Sequence, residues 1–440
     1  MIKTLLKNAM IIDPVNGLQE SLDILIEGNK ICEMKKDIQE TRVLDKERDR
    51  CINLNGCYIF PGFIDIHTHL REPGFEEKET IKTGCEAAAA GGFATIACMP
   101  NTEPVVDNPA AVELIKSKAR KGLVNVLPIG SITKKSAGKE LAEIGFLAEA
   151  GVRALSDDGK SVMNSEIMRR AMEYARSFDM TIISHCEDIK LAGEGVMNEG
   201  YNSTILGLKP IPNAAEEVMV IRDIILAELT GVKLHIAHLS TKKSLQMVTE
   251  AREKGLRVSC EVTPHHLILS DREVRGYNPD TKVNPPLRSI KDVAALQEGL
   301  KMGLIDAIAT DHAPHTYEDK LGEYDKAAFG ISGLETAVTL IYNYFVKERM
   351  ISLTDMVRMM YVNPAKIMGI KKDGVYEGGP AELTIFDPER TWKMEKSKLK
   401  SKGKNTPFSG YELQGKVVLT IVEGKIVFND LQGEGELNYE

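Results

Sequence analysis

From residue 57 to residue 370, short apolar runs alternate with longer stretches whose apolar residues recur every three or four positions. Eight runs stand out: 63–66, 95–99, 125–129, 152–155, 181–184, 233–237, 258–262 and 306–309. The intervening stretches, such as 216–229 and 242–254, have helical periodicity, and Gly255 follows the latter where a C-cap is expected. Strand–helix alternation of this length predicts a parallel α/β architecture, best fitted by a closed (β/α)8 TIM barrel. A doubly wound sheet would need a glycine-rich turn after its first strand, and His67-Thr68-His69 stands there instead. The two ends have another rhythm. Residues 5–12 and 22–26 read as strands around Asp13-Pro14 and Asn16-Gly17 turns; 381–386 and 416–428 read as strands with a turn at Glu423-Gly424-Lys425. Residues 1–56 and 371–440 are thus expected to build one small β domain, with the barrel, 57–370, inserted between them.

The 440 residues include 56 Lys and Arg against 64 Asp and Glu, a net charge of −8 that argues against a general nucleic-acid binder. A lysine-rich run, Lys393 to Lys404, is short and has only Trp392 as an aromatic neighbour, so a solvated connection is expected. No run reaches the ~18 apolar residues needed to span a bilayer. The seven cysteines are scattered, odd in number and without a C-x-x-C pair, which argues for free thiols and a cytoplasmic protein.

Barrel chemistry gathers where strands end at their C-terminal side. His67 and His69 follow the first run, Asp157 and Asp158 the fourth, His185 the fifth, His238 the sixth, His265 and His266 the seventh, and Asp311, His312 and His315 the eighth. Residues i and i+2 of a strand face one side, so His67 and His69 can point together into the barrel mouth. Imidazole with carboxylate is the ligand set of zinc and neighbouring divalent metals. Asp157 and Asp158 leave the backbone in opposite directions, so one is expected in the site and the other in a turn. His238 is favoured over His235 as a ligand, His235 being expected to play a supporting or core role.

The stretch Gly62-Phe63-Ile64-Asp65-Ile66-His67-Thr68-His69-Leu70-Arg71-Glu72-Pro73-Gly74 resembles the signature of the cyclic amidohydrolases of the amidohydrolase superfamily. Met99–Thr102, Ser184–Asp188, Val283–Arg288, Thr310–His315 and Phe329–Thr336 extend the likeness, most closely to the long bacterial dihydroorotase family, and Asn405-Thr406-Pro407-Phe408 and Val422–Val427 look familial as well. The resemblance runs over essentially the whole chain. It implies a barrel carrying a composite β-sandwich from both termini, and one or two divalent ions, zinc in the first instance. It implies His67, His69 and Asp311 as ligands of the more buried ion, His185 and His238 as ligands of the second, and Asp158 as the bridge. Many relatives place a carboxylated lysine at the fourth strand end; no lysine occupies 153–158 here, as in the long bacterial dihydroorotases. Substrate contacts carry over to Arg71, Asn101, Asn284, His315, Phe329 and Gly330.

The reaction so implied interconverts dihydroorotate and N-carbamoyl-L-aspartate in pyrimidine biosynthesis. A metal-bridged hydroxide would attack the ring amide, with Asp311 as general base and then acid. Rival readings are an allantoinase or hydantoinase, whose rings carry no carboxylate, and a non-catalytic homologue serving as partner of a carbamoyltransferase. A homodimer and association with aspartate carbamoyltransferase stay open, as does a mobile lid at 316–328, a charge-rich stretch with little to bury.

Overall fold

The computed structural model describes residues 2–45 and 48–431. Eight parallel strands form the inner layer: β1 (Phe63–Thr68), β2 (Phe93–Cys98), β3 (Asn125–Pro128), β4 (Ala154–Leu155), β5 (Thr181–Ser184), β6 (Lys233–Ile236), β7 (Val258–Val262) and β8 (Ala307–Ile308). Every residue of β1, β2 and β5 is buried, as expected of parallel strands covered on both faces. Continuous ladders join β1–β2–β3 and β4–β5–β6–β7–β8. Isolated parallel bridges join the two sheets at both seams, Gly130 to Leu155 and Thr68 to His312. At the β1–β8 seam the buried Asp65 carboxylate accepts from Thr310 Oγ1 at 2.5 Å, and the His69 N–H donates to the His312 carbonyl at 2.8 Å. The TIM-barrel reading of the sequence therefore holds.

Helices after the strands begin where short polar side chains can cap them. Thr80, Thr241 and Ser289 accept from backbone N–H groups at the starts of helices Ile81–Ala90, Lys242–Glu253 and Ile290–Lys301.

Both chain ends contribute to a separate eight-stranded sheet with its own core, in which Leu6, Ile24, Ile59, Leu383 and Leu419 are fully buried. Seven of its strands pair in one continuous order, and the short strand Arg50–Asn53 pairs beside Lys3–Asp13 off that path. Tyr58–Pro61 links the two ends, running parallel to Lys3–Asp13 and antiparallel to Leu383–Lys393. These four residues lie past the boundary expected at 57, because an apolar segment that completes the sheet directly abuts the first barrel strand. No helix among the described residues is long and apolar enough to cross a membrane. All seven cysteines are free.

Candidate metal and substrate site

Six expected ligands converge at the C-terminal ends of the strands. His67 Nε2 lies 3.4 Å from Asp158 Oδ1 and 3.5 Å from Asp311 Oδ1. His69 Nε2 lies 3.1 Å from Asp311 Oδ1 and 3.4 Å from Asp158 Oδ2. His238 Nε2 stands 3.6 Å from Asp158 Oδ1, and His185 Nδ1 lies 3.5 Å from that oxygen and 2.8 Å from His238 Nε2. Two overlapping groups could each hold a metal ion, His67 with His69 and Asp311, and His67 with Asp158 and His238. His185 stands beside the second group. The two oxygens of Asp158 face different sides, Oδ2 toward His69 and Oδ1 toward His67, His185 and His238.

A metal ion fits this donor set. Among the described residues, His67 Nε2 and Asp158 Oδ1 face each other in the cluster, buried and without a hydrogen-bond partner, an expensive state for polar atoms. His67 Nδ1 donates to Glu261 Oε1 at 2.5 Å, which leaves Nε2 as the bare nitrogen facing the carboxylates. His69 Nδ1 bonds Asn101 Oδ1 at 2.9 Å, with the same consequence for its Nε2. Burial disfavours an imidazolium at His67, yet Glu261, Asp158 and Asp311 raise its pKa well above the usual value. The pocket therefore calls for positive charge, which a divalent cation supplies without protonating the ligands.

Backbone strain marks the same residues. His238, Asp311 and Arg71 have φ of 31°, 46° and 62°, a left-handed conformation that costs non-glycine residues about 1–3 kcal/mol each and persists where surrounding structure imposes it.

Of the two adjacent aspartates, Asp157 turns away, accepting from the Ile132 and Thr133 N–H groups at 2.8 and 3.1 Å, so Asp158 alone enters the site. His235 is fully buried and bonds Ser259 Oγ and Glu261 Oε2, a supporting role as expected. His266 ties its two nitrogens to Thr263 Oγ1 and the Pro285 carbonyl and so holds the chain beside Asn284. His312 accepts from the Gly333 N–H and approaches Glu79.

Arg71 Nε donates to the Pro314 carbonyl at 3.2 Å, and its Nη2 lies 3.3 Å from His315 Nε2. Asn284 Nδ2 donates to Glu187 Oε1, and Glu187 Oε2 lies 3.6 Å from His185. Arg71, Asn101 and Asp158 line one cavity of about 570 Å³. Phe329 and Gly330, the other two expected substrate contacts, stand beside His315. The Gly330 N–H donates to the Lys282 carbonyl, the Gly330 carbonyl accepts from Asn405 Nδ2, and the Phe329 carbonyl lies 2.8 Å from His315 Nε2. These backbone groups are engaged within the protein, and they hold His315. Glycine is needed at 330, where φ is 146° and a Cβ would stand 2.6 Å from the Ala313 carbonyl oxygen.

Two residues, Glu261 and Asn405, have supporting roles that the sequence does not assign. Glu261 is fully buried on β7 and accepts from His67, His235 and the His238 N–H. Burial alone would raise its carboxyl, but the facing histidines hold it at about 2. Glu261→Gln is expected to weaken metal binding by about 10- to 100-fold, because the partner that orients His67 loses its charge. Competition with a chelating dye measures this. Asn405 bonds four groups of the loops after β8: its Oδ1 accepts from the His315 N–H and Ser332 Oγ, and its Nδ2 donates to the Ala313 and Gly330 carbonyls.

Residues 56–244 match the family model described as Dihydro-orotase-like. The chain is 52% identical over 428 residues to the dihydroorotase of Thermoanaerobacter sp. (strain X514), covering 97% of each. The chain belongs to the dihydroorotase family. It is 49% identical to the dihydroorotase of Syntrophus aciditrophicus (strain SB) over 434 residues, covering 98% of this chain and 100% of the relative. Among solved structures, the L-hydantoinase (dihydropyrimidinase) from Arthrobacter aurescens superposes with a TM-score of 0.85 at 25% identity, over 98% of this chain and 97% of its own. The protein is accordingly a cyclic amide hydrolase of the amidohydrolase superfamily, with the dihydroorotase reaction as its activity.

Proposed function

We propose that this site opens the ring of (S)-dihydroorotate to N-carbamoyl-L-aspartate, and closes it in the biosynthetic direction, with Asp311 as the catalytic residue. The observation that carries the reading is that the Arg71 guanidinium shares a single cavity with Asp158, the carboxylate at the centre of the imidazole–carboxylate cluster. His67, His69, Asp158, His185, His238 and Asp311 would hold one or two divalent ions, zinc by donor chemistry. A bound ion of this kind acidifies water and polarises an amide carbonyl.

The chain's own residues do the rest. Arg71 grips the ring carboxylate with two N–H groups of its fork, and His315 stands beside it. Asn101 spends its carbonyl on His69 and keeps its NH2 to donate to substrate. Asn284 spends its NH2 on Glu187 and keeps its carbonyl to accept a ring N–H. Asp311 takes the proton of the attacking water on a carboxylate oxygen and delivers it to the ring nitrogen as the C–N bond breaks. Ring closure reverses both transfers.

Comparing turnover of dihydroorotate, allantoin and hydantoin tests the reading. Preference for dihydroorotate supports it, and preference for an uncarboxylated ring overturns it. Arg71→Lys keeps the charge but loses the fork, so KM for dihydroorotate should rise about 10- to 100-fold, the worth of one charge-assisted hydrogen bond of about 1.5–3 kcal/mol. Steady-state kinetics checks this. The free cysteines suit a cytoplasmic location. Gel filtration with activity assays on the isolated chain reports whether turnover involves a second copy or a carbamoyltransferase.

A further inference from the structure

The stretch 316–328 after β8 is charge-rich in sequence, yet it is anchored. Thr316 and Asp319 cap the short helix Tyr317–Lys320, and Tyr324 is buried. Its anchor is unusual. Lys320 is only 7% exposed, and no carboxylate lies in ion-pair range of its ammonium among the described residues. Its Nζ donates to three backbone carbonyls: Ala328 at 2.7 Å, Pro279 at 3.1 Å and Lys282 at 3.2 Å. Three N–H donors thus meet three acceptors, which accounts for a lysine in a place lysines rarely occupy.

The three carbonyls bracket the segment that supports His315. The Lys282 carbonyl also accepts from the Gly330 N–H at 2.9 Å, so Lys320 and Gly330 share one acceptor. Ala328 precedes Phe329, whose carbonyl lies 2.8 Å from His315 Nε2. Lys282 itself is 2% exposed, lies 4.5 Å over the Phe329 ring and donates to the Asp325 carbonyl, which fixes the same segment from its other side. His315 in turn stands 3.3 Å from Arg71 Nη2.

We propose that Lys320 is a positioning residue for recognition of the substrate's ring carboxylate: by clamping the carbonyls of Pro279, Lys282 and Ala328 it fixes Phe329 against His315 and, through His315, the place of Arg71. The proposal rests on the assignment of Arg71 and His315 to the carboxylate. Lys320 touches neither substrate nor the metal-ligand cluster, so its loss acts on binding far more than on bond breaking.

The test uses the full-length, metal-loaded protein. Lys320→Met is expected to raise KM for dihydroorotate about tenfold, the cost of one disturbed charge-assisted contact, with kcat within about threefold of the parent. His315→Ala should also raise KM, and adding Lys320→Met to it should change KM by less than about twofold, because the two residues act along one path. Unchanged KM in Lys320→Met, additive effects in the double variant, or a fall in kcat with KM unchanged would each overturn the proposal. If Lys320→Met does not fold, Lys320→Gln, which keeps two N–H donors on an uncharged head, takes its place with the same criteria at a smaller KM rise. Limited proteolysis reads the clamp without substrate: the parent should resist cleavage within 316–328 and Lys320→Met should be cut there. Equal resistance counts against the clamp. A parent that does not turn over dihydroorotate defeats the functional reading and leaves the proteolysis result standing, so the two failures are distinguishable.

Discussion

Asp311→Asn is expected to lower kcat for dihydroorotate by about 10²- to 10⁴-fold, the usual contribution of a positioned general base, while the fold is kept. Asparagine matches aspartate in volume and keeps an oxygen at Oδ1, so the ligand atom 3.1 Å from His69 Nε2 has an isosteric replacement. What it lacks is a site that takes up a proton and returns it. The local backbone reinforces the assignment. At Asp311 φ is 46°, a strained value that asparagine tolerates as well as aspartate, so the substitution removes the chemistry without adding strain. The carboxyl of Asp311 is held well below its ordinary range: burial alone would raise it, but His67 and His69 outweigh that. It therefore stands ready as the ionised acceptor. The variant must be assayed with metal content measured and excess metal supplied, because Asp311 is also a candidate ligand. Near-parental turnover in metal-replete Asp311→Asn would remove Asp311 from the proton path. Restoration of turnover by added metal alone would reduce its role to that of a ligand.

Much of this site could be read from sequence because the barrel converts linear order into radial position. Each apolar run between residues 63 and 309 became a parallel strand, so residues just beyond the runs had to gather at one rim. His67, His185, His238 and Asp311 are separated by scores of residues yet share one pocket for that reason. The same logic separates Asp157 from Asp158: adjacent residues face opposite ways, and one anchors the 132–133 loop while the other enters the cluster. Glu261 was missed because it lies inside an apolar strand, where a charged residue points at partners supplied by β1 and β6 rather than by its own neighbours. A carboxylate within a buried strand is itself a signal, since such a group persists only when paired. Asn405 stands in a stretch that looks familial, but its role is not legible there, because nothing in its periodicity says that a segment from the terminal sheet domain reaches the loops after β8. The engaged backbone of Phe329 and Gly330 is equally silent, since hydrogen bonds to Lys282 and His315 depend on how two loops meet.

Removing divalent metal with a chelator should abolish turnover, a fall on the order of 10³-fold or more, because water at neutral pH is a feeble nucleophile until its pKa is brought from ~15.7 toward ~7. No side chain placed in this pocket can make up that difference. Asp311 can accept a proton, but accepting one from unactivated water leaves most of the barrier in place. The cluster should also respond to the loss in its own right. With the cation gone, His67 is pressed by Glu261, Asp158 and Asp311, and His185 by Asp158 and Glu187. These imidazoles should then bind protons that the loaded protein does not, and reloading should release protons into a weakly buffered solution. Proton release can be followed by pH indicator without any substrate, which separates occupancy from catalysis. Titrating zinc back while counting bound ions and recovered turnover then tests the overlap of the two groups. His67 belongs to both, and Asp158 presents one oxygen to His69 and the other to His185 and His238. Recovery that follows the first equivalent places the chemistry at the His67–His69–Asp311 group, whereas recovery that waits for the second requires Asp158 to join two ions. A chelated protein that holds negligible metal and retains full turnover would refute the metal site altogether, and with it the reason for the unpartnered His67 Nε2 and Asp158 Oδ1 facing each other in the barrel mouth.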